Sequence, residues 1–504
     1  MEDENTLAVL ICGAGAAGLT LAIDLARRGV PFRLIDKLDQ PFPGSRGKGI
    51  QPRTQEVFED LGIIDRVVAA GGTYPRMREY WGDGTYAEKD IADRDEPTPA
   101  EPYHMALMIP QFLTERLMRE RLAEFGQQVE FGYELVGVEQ DSESVTARLI
   151  GPAGEEVVHS RYLIGADGGR SFVRGTLGVD FPGKTLGVRA MVADVALTGI
   201  DREAWHQFNG GDMEQMVSIC PLAGTDLSQI QAVVPLEGDP DLSADGIERM
   251  IAERTGRNDV KVQSVTWASA YSMNARLADR YRIGRVFLVG DAAHIHPPTG
   301  GQGLNTSVQD VYNLGWKLAA VLSGAPDRLL DSYESERRPV AEAMLGLAAG
   351  LLEAAKRGEM RRGREVRQLD IGYPGSPLAL YCSERVGALL PGDRAPDAPL
   401  RGAAGSSRRL FDLFTGSHWT LIGFEAERNI TKERKGLHIH RVGAGCELQD
   451  AGGHFHDAYE LEAGEWVLVR PDGYVAAIIT PGEASALSTF FAEVGLSGTD
   501  ELPD

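Results

Sequence analysis

The sequence of 504 residues contains 43% hydrophobic and 25% charged residues, a composition that predicts a globular protein with a sizeable core and about two to four domains. Its 51 basic and 74 acidic residues give a net charge of −23, which argues against nucleic acid or an anionic membrane surface as the main partner. The four cysteines are far apart and form no CxxC pair, which favours a reducing cytoplasm over a disulfide scaffold.

The first apolar stretch, residues 6–23, carries no charge and approaches the length of a membrane-spanning helix. Three glycines interrupt it, and residues 1–4 are acidic where a signal peptide would be basic. We therefore predict neither a targeting segment nor a transmembrane segment. A cytoplasmic protein is expected, in which this stretch forms a strand, a turn and a helix.

The turn after the first predicted strand, residues 7–12, is rich in glycine. It reads Gly-Ala-Gly-Ala-Ala-Gly from Gly13 to Gly18, opens a helix, and is followed about 20 residues later by Asp36 at the end of a second strand, as in the dinucleotide-binding fingerprint. The glycines let the backbone approach a pyrophosphate, and the acid accepts from a ribose hydroxyl. Because the acid disfavours a 2′-phosphate, the bound nucleotide is predicted to be FAD or NAD. A glycine-rich turn without a ligand is the alternative.

A basic loop and a polar excursion follow. Arg46 lies in the glycine-spaced loop of residues 45–54, where it could hold a phosphate or face solvent. Residues 74–103 are polar and charged, and they indicate a small excursion outside the core sheet. A helix with apolar residues at helical spacing is predicted to begin at Gln111.

A second turn with an acid and glycines, Gly-Ala-Asp-Gly at positions 165–168, follows a predicted hairpin of residues 145–150 and 156–163. From residue 181 to residue 270, short apolar runs alternate with turn residues, which predicts an antiparallel sheet. A sheet inserted between the halves of a nucleotide-binding domain would form a wall of a substrate pocket.

The third turn, residues 289–305, lies between an apolar strand and a helix whose apolar residues recur until Gly324. Asp291 stands at the strand end, and free N–H groups stand at the helix start. The start of a helix carries a partial positive charge, which suits an anionic or electron-rich ligand; a simple tight turn is the alternative. Further on, the sequence predicts a helical stretch to about Arg367, a domain boundary near residues 390–396, and a hairpin through Pro-Asp-Gly at 471–473.

The three turns, in this order, resemble the adenylate-binding, DG and GD motifs of the FAD-dependent class A aromatic monooxygenases of the para-hydroxybenzoate hydroxylase group. The motifs span residues 13–305, and matching flanks extend to about residue 340. The tail resembles the thioredoxin-like C-terminal domain of the larger phenol hydroxylases and aromatic polyketide hydroxylases. It lacks CxxC, so no disulfide chemistry is expected there. Its length and the Val-Arg-Pro-Asp-Gly stretch at 469–473 favour the polyketide hydroxylase branch.

The resemblance implies an α/β (α+β) protein with a Rossmann-type FAD-binding domain, an inserted antiparallel-sheet substrate domain and a C-terminal thioredoxin-like domain. The implied FAD-binding domain has two parts, residues 1–180, with the excursion at 74–103, and residues 275–390, which include long helices. The substrate-binding sheet would span 181–274. The thioredoxin-like domain would span 391–504 and serve packing or assembly.

Carried over position by position, the resemblance also implies a set of FAD-binding residues. Asp36 would bind the adenosine ribose, Arg46 and Gln111 the phosphate or ribityl region, and Asp291 the ribityl hydroxyls. Asp167 would contribute to both FAD and nicotinamide binding. The complete set is Gly13, Gly15, Ala16, Ala17, Gly18, Asp36, Arg46, Gln111, Asp167, Asp291, Pro298, Gly301, Gly303, Leu304 and Asn305. The last five would surround the isoalloxazine ring, where a helix start favours the anionic reduced flavin.

The implied reaction is hydroxylation of a phenolic or polycyclic aromatic, polyketide-type substrate. NADPH or NADH would transfer hydride to bound FAD, and the flavin C4a-hydroperoxide formed with O₂ would deliver one oxygen atom. The nicotinamide is expected as a transient partner, because the chain has no second GxGxxG. Baeyer–Villiger-type oxygen insertion beside a ketone and a non-catalytic flavin-binding protein remain alternatives. The choice between NADH and NADPH and the oligomeric state stay open.

Neither a catalytic base nor a metal site is predicted. The tyrosines that deprotonate a phenol in small members of the family cannot be mapped here, and Tyr271, Tyr281 and Tyr373 are interpreted as packing residues. Polyketide substrates are already acidic phenols, so a dedicated base is not required. The His-x-His pairs at 294/296, 438/440 and 454/456 lack the further ligands of a zinc site. The zinc-protease motif HExxH and the serine-hydrolase motif GxSxG are both missing.

Overall fold

The structure is a computed structural model that describes residues 6–357, 362–382 and 387–496. The strands before residue 180 are β1 (Leu7–Cys12), β2 (Phe32–Asp36), β3 (Gly49–Ile50), β4 (Gly72–Thr73), β5 (Met77–Tyr80), β6 (Tyr86–Lys89), β7 (Leu107–Met108), β8 (Glu130–Phe131), β9 (Glu134–Gln140), β10 (Val145–Gly151) and β11 (Gly154–Gly165). The helices of this part are α1 (Ala16–Arg27), α2 (Pro52–Asp60), α3 (Ile64–Ala70), α4 (Gln111–Glu124) and α5 (Phe172–Thr176). The predicted hairpin is confirmed, since β10 and β11 pair antiparallel.

Residues 181–357 form the second group of elements. Its strands are β12 (Gly183–Thr198), β13 (Trp205–Phe208), β14 (Val217–Pro221), β15 (Ser228–Val234), β16 (Lys261–Leu277), β17 (Arg282–Ile283), β18 (Val286–Leu288) and β19 (His294–Ile295). Its helices are α6 (Ala244–Thr255), α7 (Gly303–Leu322) and α8 (Asp331–Lys356).

The predicted helical stretch to about Arg367 is wrong at its end. Helix α8 stops at Lys356, and the chain then forms a bridge between Arg362 and Ala92. Gly363 adopts an extended conformation with φ −90° and ψ −160° before a short 3₁₀ turn. Glycines at positions 358 and 363 disfavour the helix, and apolar periodicity alone did not reveal where it ends.

A largely parallel sheet forms the centre of the nucleotide-binding region. Strand β1 pairs in parallel with β2 on one side and with β11 on the other. Strand β8 continues the sheet beyond β2, and β18 continues it in parallel beyond β11. The carboxyl ends of β1, β11 and β18 therefore lie side by side, which brings the turns that follow them to one edge.

The second sheet has eight strands in the order β19-β16-β12-β15-β14-β13-β5-β6. All neighbouring pairs are antiparallel except β13 and β5. The antiparallel sheet predicted from residues 181–270 is confirmed. The excursion at 74–103 lies outside the parallel sheet, and it supplies two edge strands, β5 and β6, to this second sheet.

The tail has strands β20 (Pro399–Arg401), β21 (Ser407–Arg409), β22 (Trp419–Phe424), β23 (Leu437–Val442), β24 (Trp466–Val469) and β25 (Val475–Ile479), and helices α9 (Leu410–Phe414), α10 (His454–Tyr459) and α11 (Ala484–Glu493). Its main sheet has the order β23-β22-β24-β25, with β22 and β23 parallel and the other pairs antiparallel. This is the strand arrangement of a thioredoxin-like fold. The predicted hairpin through Pro-Asp-Gly joins β24 to β25 and is confirmed.

A continuous hydrophobic core joins the tail to the nucleotide-binding region. At the contact, the ring of Trp316 on α7 packs edge-to-face on Trp419 of β22, with centroids 5.3 Å apart. All four cysteines are unpaired. Among the described residues, no helix combines the length and the apolar character needed to cross a bilayer.

Candidate functional site

The glycine-rich turn between β1 and α1 packs tightly against its neighbours. Gly13 has φ +110°, and its N–H donates to the Ile35 carbonyl at 2.8 Å. A Cβ at Gly13 would lie 2.2 Å from the Ala166 carbonyl oxygen, and a Cβ at Gly18 would lie 1.9 Å from the Gly13 carbonyl oxygen. Only glycine fits at these two positions, because a side chain would push the turn away from its neighbours.

The space in front of the α1 start is open. The N-cap residue Gly15 has no side chain to cap the helix, and a Cβ there would meet no atom closer than Glu115 Oε1 at 3.8 Å. The first N–H groups of α1 are not used within the helix, and the start of a helix suits an anion. The Asp36 carboxylate borders the turn, accepting from the N–H groups of Ala14 at 2.8 Å and Leu38 at 2.9 Å.

Glu115 on α4 is a buried acid beside this space that was not predicted from the sequence. It is only 1% exposed, and its Oε1 accepts from the Gln111 side-chain amide at 2.7 Å. Burial raises the pKa of the Glu115 carboxyl to about 7, against the opposite effect of Gln111 and of the Ala16 N–H. The predicted residue Gln111 therefore reaches the α1 start through Glu115. Their one-turn spacing on α4 was the only sequence signal.

The DG turn after β11 carries a carboxylate with one unused oxygen. Asp167 Oδ2 accepts from the Val173 N–H at 3.0 Å, whereas its Oδ1 is buried and has no hydrogen-bond partner among the described residues. A buried acceptor without a donor costs free energy. This oxygen therefore indicates a place where a ligand supplies a hydrogen-bond donor.

Arg174 joins the DG turn to the GD turn and was not predicted as a site residue. Its guanidinium donates to the Ala292 carbonyl at 2.8 Å and to the Gly169 carbonyl at 2.9 Å. The same group lies 3.8 Å from the centroid of the Phe181 ring. These contacts fix the separation of the two turns. The sequence around Arg174 does not indicate that its guanidinium bonds these two carbonyl groups.

A buried ionic network holds the GD turn on α7. His294 Nε2 lies 2.6 Å from Asp310 Oδ2, and Arg337 Nε donates to Asp310 Oδ1 at 2.9 Å, with all three side chains fully buried. Burial opposes ionisation of Asp310, but His294 and Arg337 outweigh it and lower the pKa of its carboxyl. Gly290, with φ +57°, lies so close to α7 that a Cβ would be 2.9 Å from Ser307 Oγ.

The side chain of Asp291 is accessible to solvent, yet it faces protein and not bulk water. Desolvation by the surrounding protein raises the pKa of its carboxyl, and the charges of His294 and Arg46 act in the opposite direction. These two properties together describe a group inside a cleft. Arg46 is exposed, with its guanidinium 4.9 Å from the centroid of the Phe42 ring.

The start of α7 is tied to the loop that carries Arg46. Asn305 Nδ2 donates to the Gly49 carbonyl at 2.9 Å and to the Gly301 carbonyl at 2.7 Å. Its Oδ1 accepts from the Gln51 N–H at 2.8 Å. Both the nitrogen and the oxygen of the Asn305 side chain are therefore used in hydrogen bonds within the protein. A ligand at this segment would be bound by backbone groups.

Backbone donors at the start of α7 remain available. The 3₁₀ turn Thr299–Gly301 leads into the helix, and its two glycines have φ of +80° and +65°. The first hydrogen bond of the helix runs from the Thr306 N–H to the Gln302 carbonyl at 2.9 Å. Earlier N–H groups have no acceptor within the helix. They belong to Gly303, Leu304 and Asn305.

We use the name three-turn cleft for the space bordered by the glycine-rich turn, the DG turn, the GD turn and the start of α7. Its donor set fits a flavin dinucleotide: one helix start for a pyrophosphate, Asp36 for a ribose, the accessible Asp291 carboxyl for sugar hydroxyls, and a second helix start for an electron-rich ring. The predicted residues Gly13 and Gly18 act through close packing. Pro298 is exposed.

The second sheet places polar side chains against the Arg46 loop. Asp194 and Gln229 are partners across β12 and β15. Ser45 donates to Asp194 from its N–H at 2.7 Å and from its hydroxyl at 2.6 Å, and Gln229 donates to the same hydroxyl at 2.9 Å. Alternate residues of these strands point the other way, into an apolar cluster with α6. The sheet therefore presents a polar face to the nucleotide-binding region.

The three tyrosines considered from the sequence lie in different environments. Tyr281 is fully buried, and the Tyr373 hydroxyl accepts from Arg337 at 2.9 Å. Tyr271 is half-buried; burial raises the pKa of its hydroxyl to about 12, and the charge of Arg46 opposes this. None of the three is assigned as a base. Within the described ranges, no three His, Cys, Asp or Glu side chains converge as a metal site.

Two protein families match the chain. The family described as FAD binding domain matches residues 6–348, which is more than half of the sequence. The family described as aromatic-ring hydroxylase, C-terminal, matches residues 388–494. The first match contains all three turns, and the second contains the thioredoxin-like sheet.

Similar proteins cover nearly the whole chain. A flavin-dependent monooxygenase of Mycobacteroides abscessus is 41% identical, over 94% of this chain and 98% of that protein. The 12-dehydrotetracycline 5-monooxygenase/anhydrotetracycline 6-monooxygenase of Streptomyces rimosus subsp. rimosus is 32% identical, over 96% and 98%. The solved ternary complex of aklavinone-11 hydroxylase with FAD and aklavinone has a TM-score of 0.84 and 27% identity, over 98% and 99%. The chain therefore belongs to the FAD-dependent aromatic-ring hydroxylases, monooxygenases that consume NAD(P)H and O₂.

Proposed function

We propose that the protein hydroxylates a phenolic or polycyclic aromatic compound of the polyketide type while FAD occupies the three-turn cleft. The observation that carries this proposal is the meeting of three acid- or glycine-bearing turns at one sheet edge, next to the polar face of the second sheet. Relatives whose names specify tetracycline intermediates and aklavinone support the substrate class.

In this proposal the dinucleotide half of FAD lies along the start of α1. The free N–H groups there, with the open space at Gly15, receive the pyrophosphate. Asp36 accepts from the adenosine ribose, and Arg46 and Gln111 serve the phosphate and ribityl region. Asp291 accepts from the ribityl hydroxyls. The small methyl side chains of Ala16 and Ala17 on α1 keep the approach of the pyrophosphate unobstructed.

The flavin ring is proposed to lie against the start of α7, between Pro298, Gly301, Gly303, Leu304 and Asn305. The N–H groups at this helix start carry partial positive charge, so they stabilise negative charge on the ring after reduction. Because the Asn305 side chain is bound to the Arg46 loop on both its nitrogen and its oxygen, these N–H groups are held in place before the cofactor binds. Because these N–H groups are already in position, they need not be reoriented when negative charge develops on the flavin ring.

The contribution of the protein is binding, orientation and exclusion of water. When bound, FAD accepts hydride from NAD(P)H and activates O₂ for transfer of one oxygen atom to the aromatic ring. Asp167 Oδ1, which has no donor among the described residues, is proposed to hold a donor of the flavin or of the visiting nicotinamide. The polar face of the second sheet is proposed to position the substrate.

We also propose the domain division drawn from the sequence, with FAD-binding parts at 1–180 and 275–390, the substrate-binding sheet at 181–274 and the thioredoxin-like domain at 391–504. Strands β5 and β6 of the 74–103 excursion would then serve the substrate-binding sheet. A cytoplasmic location is proposed on the basis of the four unpaired cysteines.

The test of the proposed function is NAD(P)H oxidation by FAD-loaded protein, with and without a panel of phenols and polyketide aromatics, followed by mass analysis. We expect a substrate that accelerates oxidation and leaves with one additional oxygen atom on its ring. A lactone product would instead indicate insertion beside a ketone. If no aromatic compound accelerates oxidation in protein that retains FAD, the proposed function is wrong.

A further inference from the structure

A small cavity beside the start of α7, lined mostly by apolar surface and by a few polar side chains, has no role in the function proposed above. Its lining includes Gln51, Tyr74, His104, Met105, Arg362 and Val366. Water-sized groups can occupy about 40 Å³ of it, which corresponds to room for roughly three such groups. The cavity therefore admits a small group at one end of a ligand and not a whole ring system.

Two buried polar atoms that line this cavity have no protein partner. Gln51 is 3% exposed, and neither its Oε1 nor the Nδ1 of His104 has a hydrogen-bond partner among the described residues. The amide nitrogen of the same Gln51 side chain donates to the Gly300 carbonyl at 3.2 Å. One residue therefore links the cavity directly to the segment on which the flavin ring is proposed to lie.

The cavity also has a cation and a neutral hydroxyl donor. Arg362 and Tyr74 both line the cavity. Burial raises the pKa of the Tyr74 hydroxyl to about 12, so it keeps its proton at neutral pH. Asp93 lines the cavity as well. No salt bridge between described residues joins Arg362 to this or any other carboxylate.

A second cation, Lys48, lies behind the cavity wall. It is 8% exposed, and its ammonium group has no hydrogen-bond partner in the described part of the chain. The ammonium lies 4.2 Å from the centroid of the Trp205 ring, and Arg362 lies 5.9 Å from the same centroid. Asp194 attracts Lys48, but its own oxygens bond Ser45. Two cations, Arg362 and Lys48, therefore lie at or near the cavity together with the carboxylates of Asp93 and Asp194.

We propose that this cavity binds a carboxylate carried by the aromatic substrate, with Arg362 and Tyr74 as donors and Gln51 Oε1 accepting from a neighbouring substrate hydroxyl. The planar guanidinium suits a carboxylate, and Lys48 adds positive potential behind Trp205. Bound in this way, the acidic end of the substrate sets the distance of the ring to be hydroxylated from the start of α7. The inference rests on the proposed function and names the substrate class more closely: an aromatic hydroxy acid.

The test compares two probes that differ only in the carboxylate, 1-hydroxy-2-naphthoate and 1-naphthol. Their binding to FAD-loaded protein is followed by the change in flavin absorbance, without NAD(P)H, so turnover is not required. We expect the wild type to bind the acid more tightly. Arg362→Gln should weaken binding of the acid about 10- to 100-fold, as for loss of a hydrogen bond to a charged group, and should leave 1-naphthol unchanged.

The matched control is Arg364→Gln, because Arg364 is an exposed arginine nearby that pairs with Glu101 and Asp370 and does not line the cavity. Tyr74→Phe keeps the ring and removes only one donor, so it serves if Arg362→Gln fails to fold. Equal affinity of the wild type for both probes, no binding of the acid at millimolar concentration, or equal losses for both probes would overturn the proposal.

The outcomes separate this proposal from the proposed function. If aromatic compounds accelerate NAD(P)H oxidation but acid and naphthol bind alike, only the carboxylate site is wrong. If the acid binds through Arg362 but no aromatic compound accelerates oxidation, the proposed function is wrong and the binding site stands.

Discussion

At the scale of single residues, Glu115 makes the stability of the protein without FAD depend on pH. Burial raises the pKa of its carboxyl from 4.5 to about 7. Between these two values the folded state keeps the proton while the unfolded state releases it. Stability is therefore lost as pH rises through this window and does not change further above it.

Replacement of Glu115 by Gln tests this linkage. The amide keeps the shape and the acceptor for Gln111 but cannot ionise, so we expect the variant to have a higher Tm than the wild type at pH 8 and an equal Tm at pH 4.5. Thermal unfolding of FAD-free protein at several pH values measures the difference. Glu120→Gln, on the exposed side of the same helix, serves as control. A difference that does not vary with pH would contradict the assignment.

The site residues predicted from the sequence differ from the two that were missed, Glu115 and Arg174. The sequence around each predicted residue indicates its role, whereas the missed residues have partners that are distant in the chain. Asp36 stands at the end of a strand, and Asp167 and Asp291 stand next to glycines just after strands, so their place at a sheet edge could be predicted from the chain itself. Glu115 has its neighbour Ala16 almost a hundred positions away, and Arg174 bonds a carbonyl 118 positions away. Such contacts depend on how α4 and the turns pack, and single-sequence periodicity does not contain that information.

At the scale of elements, the start of α7 depends on the buried charge of Asp310. Asp310→Asn would leave Arg337 buried without its carboxylate, and loss of one partner of a buried pair costs about 3–5 kcal/mol. We therefore expect a lower free energy of unfolding and weaker retention of FAD. Urea unfolding and flavin content after gel filtration measure the two effects.

The control for this variant is Asp327→Asn, which removes an exposed carboxylate paired with Arg282. Exposed ion pairs contribute about 0–1 kcal/mol, so this change should have little effect. If the two variants were equally stable, Asp310 would not hold the GD turn on α7 in the way described.

Helices and hairpins with a regular apolar pattern could be predicted, and pairings between distant segments could not. The hairpin of β10 and β11 and the helix from Gly303 follow from local spacing and turn residues. The parallel pairing of β5 with β13 joins Met77 to Trp205, and neither segment predicts the other. The end of α8 was predicted about ten residues too late, although the glycines at positions 358 and 363 disfavour a helix there.

At the scale of the whole molecule, a buried ionic cluster joins the thioredoxin-like domain to α7 and α8. Arg470, at the end of β24, donates to Glu336 on α8 at 2.6 Å and to Asp472 at 2.9 Å. Lys317 on α7 donates to the same Glu336 at 2.6 Å. Burial lowers the pKa of Lys317 to about 8, with Glu336 opposing this shift. The tail is therefore bound to α7, the helix that begins at the three-turn cleft, and it helps to hold that helix in place.

Arg470→Met is expected to destabilise the whole protein. It would leave the carboxylates of Glu336 and Asp472 buried beside Lys317 alone, and one-sided removal of a buried ion pair costs about 3–5 kcal/mol. Urea unfolding followed by both tryptophan and flavin fluorescence measures the loss. Arg441→Met removes a partly exposed arginine of the same domain and should have a small effect. Unfolding of the tail with full retention of FAD would contradict the structural role assigned to it.

The thioredoxin-like fold of the tail and its hairpin could be predicted from the sequence. The buried contact between the tail and α8 could not. The Val-Arg-Pro-Asp-Gly stretch marks the turn between β24 and β25, and Arg470 within it would ordinarily be expected on the surface. Its partner Glu336 is 134 positions away. Buried ion pairs of this kind become visible only when the domains are packed together.

The central claim is that FAD occupies the three-turn cleft, and the affinity of Asp291→Ala for FAD tests it most directly. Fluorescence titration of FAD-free protein should show binding about 10- to 100-fold weaker than in the wild type, because the hydrogen bonds that the Asp291 carboxyl accepts from FAD are lost. The exposed Asp279→Ala variant should bind FAD like the wild type. Unchanged FAD affinity and unchanged turnover in Asp291→Ala would mean that the cofactor is held elsewhere.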